Sequence, residues 1–575
     1  MKDFFQLKKN LKKIFSGFHE IKIAVLGDTA TQFLCDAIKG NGFEHKLNFL
    51  IHQADFNQIE RQVFDRNSEL YAYNPEIIVI FNSTHKFLSK YNHLKPQEQS
   101  LLSSGEMDLI ENLYSSISQN SKAKLIYFNY TETDDAVFGS FAGKLELSFV
   151  FQLRKLNYEL MQFSAKFSDF FVCDISSIQN YFGKKTFFKP SIYINTEMVL
   201  NIDVLPAVSE KIISIINAIR GNIKKCLILD LDNTLWGGII GDDGIENIQI
   251  GNLGIGKAFV EFQYWIKKLK ERGIILAVCS KNNESTAKEP FERHPDMVLK
   301  LDDIAVFVAN WNNKADNIRY IQSVLNIGFD SMVFLDDNPV ERSIVRENIP
   351  QVCVPELPED PAEYLEYLYT LNLFETISVS KEDSERTILY QIENKRNILK
   401  TEFTDEDSFL KNLEMSSVVE SFNKFNTPRV AQLSQRSNQF NLRTVRYTEA
   451  DIENIANSKE YFTFAFTLQD RFGDNGLICV VILKHETPDI LFIENWFMSC
   501  RVLKRDMENF TLNTICDFAR SAGFRYLKGE YLPTSKNEFV KNHYSDLGFY
   551  YENSFWILKL ENYKPKKHHI KIIWK

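Results

Sequence analysis

Residues 227–238 read LILDLDNTLWGG. Asp230 and Asp232 close an apolar run one residue apart, and carboxylates that near repel unless a cation or a proton lies between them. Such a run reads as a buried strand, and open parallel sheets bind ligands at the carboxyl ends of their strands. Alternate residues of a strand point the same way, so both carboxylates can face one site. Asp230 is then placed to attack phosphorus as a nucleophile. Asp232 is placed to carry the proton to and from the leaving oxygen. Their mutual repulsion calls for a hard dication, Mg²⁺.

Further strand ends supply the remaining parts. Ser280 follows IILAVC, Lys314 precedes a predicted helix, and Asp336 and Asp337 close SMVFL. Thr234, Ser280 and Lys314 are the phosphate-binding candidates, a hydroxyl donating to a phosphoryl oxygen and an ammonium neutralising transferred charge. Asp230, Asp232, Asp336 and Asp337 are the metal-ligand candidates. A lone D-x-D is weak evidence. The order D-x-D-x-T, Ser, Lys, D-D on successive strand ends is specific.

These residues need elements to hold them. Strands are predicted at 226–232, 274–280, 305–310, 331–337 and 352–355. Between the first two, Phe259, Phe262, Ile266 and Leu269 fall at helical spacing, and Ile318, Ile321 and Leu325 mark another helix. Ahead of this unit, IKIAVLGD, EIIVIFN, KLIYFNY and FFVCDIS alternate with helical stretches, which implies a second parallel sheet. After residue 376 come YFTFAFT, GLICVVIL and ILFIENWFM, read as antiparallel neighbours with a turn at Asp474-Asn475-Gly476 and a helix over about 505–521. The expected domains are 1–210, 219–375 and 376–562, followed by a solvated basic tail over 563–575.

The motifs LDLDNTLWGGIIGDDG, LAVCSKNN and FLDDNPVER resemble the FkbH-like branch, subfamily IIIC, of the haloacid dehalogenase (HAD) superfamily. Trp236, Gly237, Gly238, Asn338, Pro339, Glu341 and Arg342 carry the likeness to the branch. The resemblance implies an aspartate-nucleophile phosphotransferase that uses Mg²⁺. It further implies loading of a glyceryl unit from a bisphosphoglycerate onto the phosphopantetheine arm of an acyl carrier protein. Little chain separates Asp232 from Ser280, so the cap is minimal and the site suits a bulky substrate. The glycine pair would let the backbone approach a ligand closely.

The flanking domains resemble other folds. GDTATQF stands where SGNH hydrolases carry G-D-S, but Thr29 replaces the serine, and Ser177 stands where the base would be. A threonine without an adjacent base is a poor nucleophile, so an SGNH-like, non-catalytic domain is expected. The C-terminal segments DRFGDNGLI, SCRVLKRDME and YLPTSKNEFVKNHYSDLGF resemble a GNAT-like acyltransferase domain. Its pyrophosphate loop normally carries two glycines, here replaced by Lys504 and Asp506, and Asp506 repels a pyrophosphate. Cys500 lies between a predicted strand and helix, beside Arg501 and Arg505, a setting that favours thiolate. It is the candidate acyl carrier, and Arg501 and Arg505 are the candidate acyl-binding or carrier-binding residues. Cys279 is the rival thiol, but alternation with Ser280 turns it toward the core.

Composition bounds the rest. The chain has 575 residues, 44% hydrophobic and 25% charged, and a formal charge of −9. That charge argues against nucleic-acid binding, and no window has the length and apolarity of a membrane span. The eight cysteines are scattered, so reduced thiols and a cytoplasmic setting are expected. The whole reads as an α/β chain of three domains: an SGNH-like parallel sheet, a HAD Rossmann-like core and a GNAT-like mixed domain. The alternatives are a stand-alone phosphatase for a small phosphate ester and a vestigial binding or assembly protein.

Overall fold

The computed structural model describes residues 2–379, 389–390, 392–393, 396, 399–400, 403, 405–499, 502–534 and 536–574. The chain divides into two compact units, residues 1–217 and 218–575. The boundary expected at 210 falls inside the helix Leu205–Ile219, and the middle and C-terminal sheets belong to one unit.

The first unit is built on strands β1 (His19–Gly27), β2 (Leu47–Gln53), β3 (Ile77–Phe81), β4 (Lys124–Phe128) and β5 (Phe170–Cys173), all parallel, in the order β2-β1-β3-β4-β5. Sequence reading missed β2, LNFLIHQ, whose half-exposed pattern is that of an edge strand. The helices Leu102–Asn120 and Phe149–Ser164 bury Ile110, Leu113 and Ile117, and Leu153, Leu156 and Leu160, in one apolar cluster with Ile78, Ile80 and Leu125 of the sheet. Fully burying each such side chain contributes about 1.5–3 kcal/mol.

The second unit opens with β6 (Cys226–Leu229), β7 (Ile275–Ser280), β8 (Ile304–Ala309) and β9 (Met332–Leu335), parallel and ordered β8-β7-β6-β9. Along β6 the side chains alternate between two cores. Leu227 and Leu229 join the cluster of Phe259, Phe262 and Ile266 from the helix Gly254–Glu271, while Cys226 and Ile228 join that of Ile318, Ile321 and Leu325 from the helix Lys314–Leu325. This is the two-sided burial a parallel sheet requires, and both helices lie where their periodicity placed them. The strand expected at 352–355 makes only an isolated bridge, Val333 with Cys353.

The remaining strands are β10 (Ser416–Glu420), β11 (Tyr461–Asp470), β12 (Gly473–Thr487), β13 (Ile490–Met498), β14 (Tyr526–Gly529), β15 (Tyr550–Glu552), β16 (Phe555–Lys559) and β17 (Lys571–Trp574). They form a mixed sheet in the order β15-β16-β14-β13-β12-β11-β10-β17. Two expectations fail here. Asp470 pairs with Gly473, so the β11–β12 turn lies at Arg471-Phe472, and Asp474-Asn475-Gly476 sits within β12. The basic tail is no solvated tail: β17 pairs in parallel with β10, Ile570 is buried, and the His569 ring meets Asp506 at 2.8 Å and Asp407 at 3.3 Å. Backbone pairing on the exposed edge of β10 outweighs the solvation of the tail lysines.

One buried histidine links this packing to pH. His543 lies with its ring 4.6 Å from that of Trp496 and 4.8 Å from that of Phe440, and burial pushes its pKa down to about 3. The folded chain holds it neutral, whereas the unfolded chain protonates it below its ordinary value. Stability is therefore present above about pH 6.5 and lost as pH falls below it. Between pH 7 and pH 5 the wild type should lose about 2 kcal/mol more than a His543→Phe variant, measured by urea unfolding monitored by circular dichroism.

Candidate active site

The carboxyl ends of β6, β7 and β9 converge on one site. Asp230 follows β6, and its amide donates to Leu335 O of β9 at 3.0 Å, which continues the strand pairing and fixes where its carboxylate emerges. Asp336 and Asp337 follow β9. One carboxylate oxygen from each of Asp230, Asp336 and Asp337 lies within 4.8 Å of the others. Two like charges at that separation repel by roughly 3 kcal/mol at an effective dielectric of about 20.

Lys314, the first residue of its helix, partly offsets this. Its Nζ is 3.0 Å from Asp230 Oδ1 and 2.5 Å from Asp336 Oδ2, and the side chain is nearly fully buried. Burial by itself would lower the lysine pKa, but the charges of Asp230 and Asp336 override it and hold the ammonium ionised. Burial, then the charge of Asp230, raise the pKa of both Asp336 and Asp337. Three carboxylates against one ammonium leave two negative charges in a buried site. That donor set, all hard oxygens with a net charge of that size, fits a hard dication.

Asp232 stands apart from this cluster. Its Oδ1 accepts from the Trp236 indole and from Ile240 N, both at 3.0 Å, and its Oδ2 accepts from Asn282 Nδ2 at 3.1 Å. The expectation that its side chain joins the metal ligands is therefore corrected, because the carboxylate is committed to three donors elsewhere. Burial is the largest influence on its pKa and raises it, against the three hydrogen bonds. A carboxyl held in place and shifted upward is suited to exchanging a proton.

The other expected residues are placed as follows. Ser280 ends β7 and is buried one strand from Asp230. The Thr234 hydroxyl is engaged with the acidic loop: it donates to Asp337 Oδ1 at 3.3 Å and accepts from Asp337 N at 3.1 Å. It orients a carboxylate, and the structure gives it no free donor toward a phosphate. Cys279 packs in the core, its Sγ 3.8 Å from Lys314 O, and burial pushes the thiol pKa well up. The glycine pair serves the turn itself. A Cβ on Gly237 would meet Gln249 Oε1 at 2.9 Å, and Gly238 has φ +93°. Between Asp232 and Ser280 the chain forms the short helix Ile240–Asp243 and the packed helix Gly254–Glu271, in keeping with a minimal cap.

Cys500 and Arg501 lie outside the described residues. Arg505 is buried, paired with Glu393 and 3.4 Å from Asp470, which Arg396 also meets at 2.8 Å. The expectation that Arg505 grips a ligand is corrected, since its guanidinium is spent inside this ion cluster. Lys504 and Asp506 keep φ near +62° and +61°, the left-handed backbone that glycine adopts without strain. In the first unit Thr29 is fully buried, and the Ser177 hydroxyl donates to Asp174 O at 2.8 Å.

Sequence reasoning assigned no role to Asn282, Trp236 or Arg342. The Arg342 guanidinium donates to the backbone carbonyls of Asp336 and Asp337 at 2.8 and 2.6 Å and is itself held by Glu356. All three stand in the quoted motifs; Asn282 meets Asp232 from another strand end, while Trp236 and Arg342 turn back onto their own loops, which residue spacing alone does not show. Replacing Arg342 with Gln should release the acidic loop and weaken divalent-cation binding about 10- to 100-fold. Calorimetric titration with Mn²⁺ measures this.

Residues 22–217 match the family described as FkbH, N-terminal domain. Among solved structures, the chain is similar to the N-terminal part of a Bacteroides fragilis protein that contains a phosphatase domain, complexed with Mg. The identity is 56%, the TM-score 0.64, and the match covers 66% of this chain and all of that one. The ribosomal-protein-S18-alanine N-acetyltransferase of Escherichia coli matches at 16% identity and TM-score 0.20, over 26% of this chain and 99% of its own. Spermidine N-acetyltransferase of Vibrio cholerae matches at 9% and 0.21, over 25% and 96%; nothing about function follows from likenesses so faint. No curated protein matches. Given 56% identity over the whole of the Bacteroides fragilis domain and the matching N-terminal family, the chain belongs to the FkbH-like family of the HAD superfamily.

Proposed function

We propose that the protein is a Mg²⁺-dependent phosphatase or phosphotransferase acting on a phosphoglyceryl-type substrate, whose acyl unit passes to an acyl carrier protein. The observation that carries the phosphoryl half is the buried convergence of Asp230, Asp336 and Asp337 around Lys314. The Mg complex of the Bacteroides fragilis phosphatase domain supports the choice of cation. Asp230, Asp336 and Asp337 would hold the Mg²⁺, which when bound neutralises phosphoryl charge.

The chain's own residues account for the rest. A carboxylate oxygen of Asp230 attacks phosphorus and the bond to the leaving oxygen breaks, with Asp232 donating its proton to that oxygen. Water then attacks the aspartyl phosphate, gives its proton back to Asp232 and releases inorganic phosphate. Asn282, Trp236 and Ile240 N hold the Asp232 carboxyl in one orientation through the cycle. Lys314, its side chain nearly fully buried, stabilises the equatorial oxygens. The carrier-loading half draws on the family likeness, with Cys500 and Arg501 as the proposed thiol and its cationic neighbour.

Replacing Asp230 with Asn nearly conserves shape and removes the nucleophile, so phosphate release should fall by at least about 10³-fold, or some 4 kcal/mol. Full turnover by this variant would exclude an aspartyl-phosphate path. The substrate and carrier are tested together: the full chain is incubated with Mg²⁺, a bisphosphoglycerate and a phosphopantetheinylated carrier, and every species is weighed by mass spectrometry. A carrier heavier by a glyceryl group, lost in the Cys500→Ala protein, is expected. Phosphate release with a carrier of unchanged mass would reduce the function to a stand-alone phosphatase.

A further inference from the structure

The first unit contains a cavity of about 660 Å³ that the phosphoryl chemistry does not use. Its place in the fold is not arbitrary. With strand order β2-β1-β3-β4-β5, the chain runs outward in opposite directions from β1 and β3, so the topological switch point lies between those two strands. Open α/β sheets bind ligands in the crevice outside the carboxyl ends of the strands at such a point. Asp28 follows β1, Asn82 and Ser83 follow β3, and all three line the cavity. A volume of this size is that of a metabolite pocket.

The lining narrows the ligand. Lys86 is tied to Glu197 and Lys90 to Glu106, each at 2.7 Å, so neither ammonium is available without breaking an ion pair. Arg61 is different: it is exposed, its hydrogen bond goes to Gln58 at 3.4 Å, and among the described residues it has no carboxylate partner. It can receive an acid in a two-pronged contact. Asp28 is the complementary group. Its Oδ2 accepts from Ser83 N at 2.7 Å and from the Ser83 hydroxyl at 3.2 Å, while its Oδ1 is buried beside the Thr29 side chain without a formed hydrogen bond. Asp28 lines the cavity and is half-buried there, and a carboxylate can accept more hydrogen bonds than the two from Ser83, so it can receive a ligand hydroxyl or ammonium. Burial pushes Asp28 up to about 6, against the lowering effects of Ser83, Thr29 and Lys86. Ile59, Phe87, Leu109 and Leu113 give the cavity an apolar wall.

We propose that this cavity is a binding site for a metabolite-sized organic acid that also bears a hydroxyl or ammonium group, its acid held by Arg61 and its donor by Asp28. The site binds and does not hydrolyse, since the hydroxyl beside Asp28 belongs to the fully buried Thr29. It is independent of the Asp230 chemistry.

The test is calorimetric titration of the full chain with D-glycerate and D-gluconate as hydroxy acids and L-serine and L-phenylalanine as amino acids. Propionate, an acid without a donor, and glycerol, a donor without an acid, are the comparison probes. At least one member of the first four should give saturable heat, and which series responds decides between hydroxyl and ammonium. Both Arg61→Gln and Asp28→Asn should weaken that binding tenfold or more, about 1.4 kcal/mol each. Arg61 is a surface residue, so its variant keeps the test valid if Asp28→Asn unfolds. The proposal is overturned if none of the four binds, if propionate or glycerol binds as tightly, or if Arg61→Gln binds like the wild type.

Discussion

Three carboxylates share a buried space with one ammonium, and much of the second unit is arranged to keep them there. Asp230, Asp336 and Asp337 come within 4.8 Å of one another, a placement that unconstrained side chains would abandon for water. The backbone prevents it. Asp230 N is paired to β9, Asp336 Oδ1 accepts from Asn338 N at 2.9 Å, and Arg342 pins the carbonyls of the acidic loop from beneath. The hydrophobic burial of both faces of the sheet supplies the free energy that holds these ends in register. The repulsion stored among the carboxylates is what makes the site select a dication, because only a charge of that size removes it.

Asp232 illustrates how one motif divides into two roles. It stands two residues from Asp230, yet the tight turn that begins at Leu231, with Thr234 N and Leu235 N both donating to Leu231 O, takes its carboxyl away from the cluster. Asn233 adopts φ +55°, and its side chain closes the turn through Gly238 N. The Trp236 indole, fully buried, then reaches back to Asp232. Asp230 is left in the carboxylate cluster and Asp232 is held apart from it, a division to which the local backbone geometry contributes.

The C-terminal sheet shows a different use of charge. Asp470, Arg396, Arg505 and Glu393 form a buried ion cluster in which every charge has an opposite neighbour. Such clusters contribute little net stability against apolar packing of the same volume, but removing one member strands the others at a cost of several kcal/mol. Arg505 is thereby bound to structure. Asp506, one residue on, meets the His569 ring beside the C-terminal strand.

The sequence by itself determined the parallel sheets, the two helices flanking β6 and the carboxylates at the ends of β6 and β9, because each rests on local information. Apolar runs set strands, i, i+3, i+7 spacing sets helices, and carboxylates or hydroxyls at strand ends follow from chain order. It also marked Thr29 and Ser177 as poor catalytic groups, since residue type alone carries that. Contacts between segments distant in the chain were decided only in the tertiary structure. Asn282, beyond the end of β7, meets Asp232, and Thr234 turned to Asp337 across the β6–β9 pair. Arg505 went inward to Asp470, and the tail found the open edge of β10. The β11–β12 turn moved from Asp474-Asn475-Gly476 to Arg471-Phe472 because register along two long strands outweighs the preference of a three-residue turn. A side chain's type is written in the sequence, but its direction depends on donors, charges and edges that only folding brings within reach.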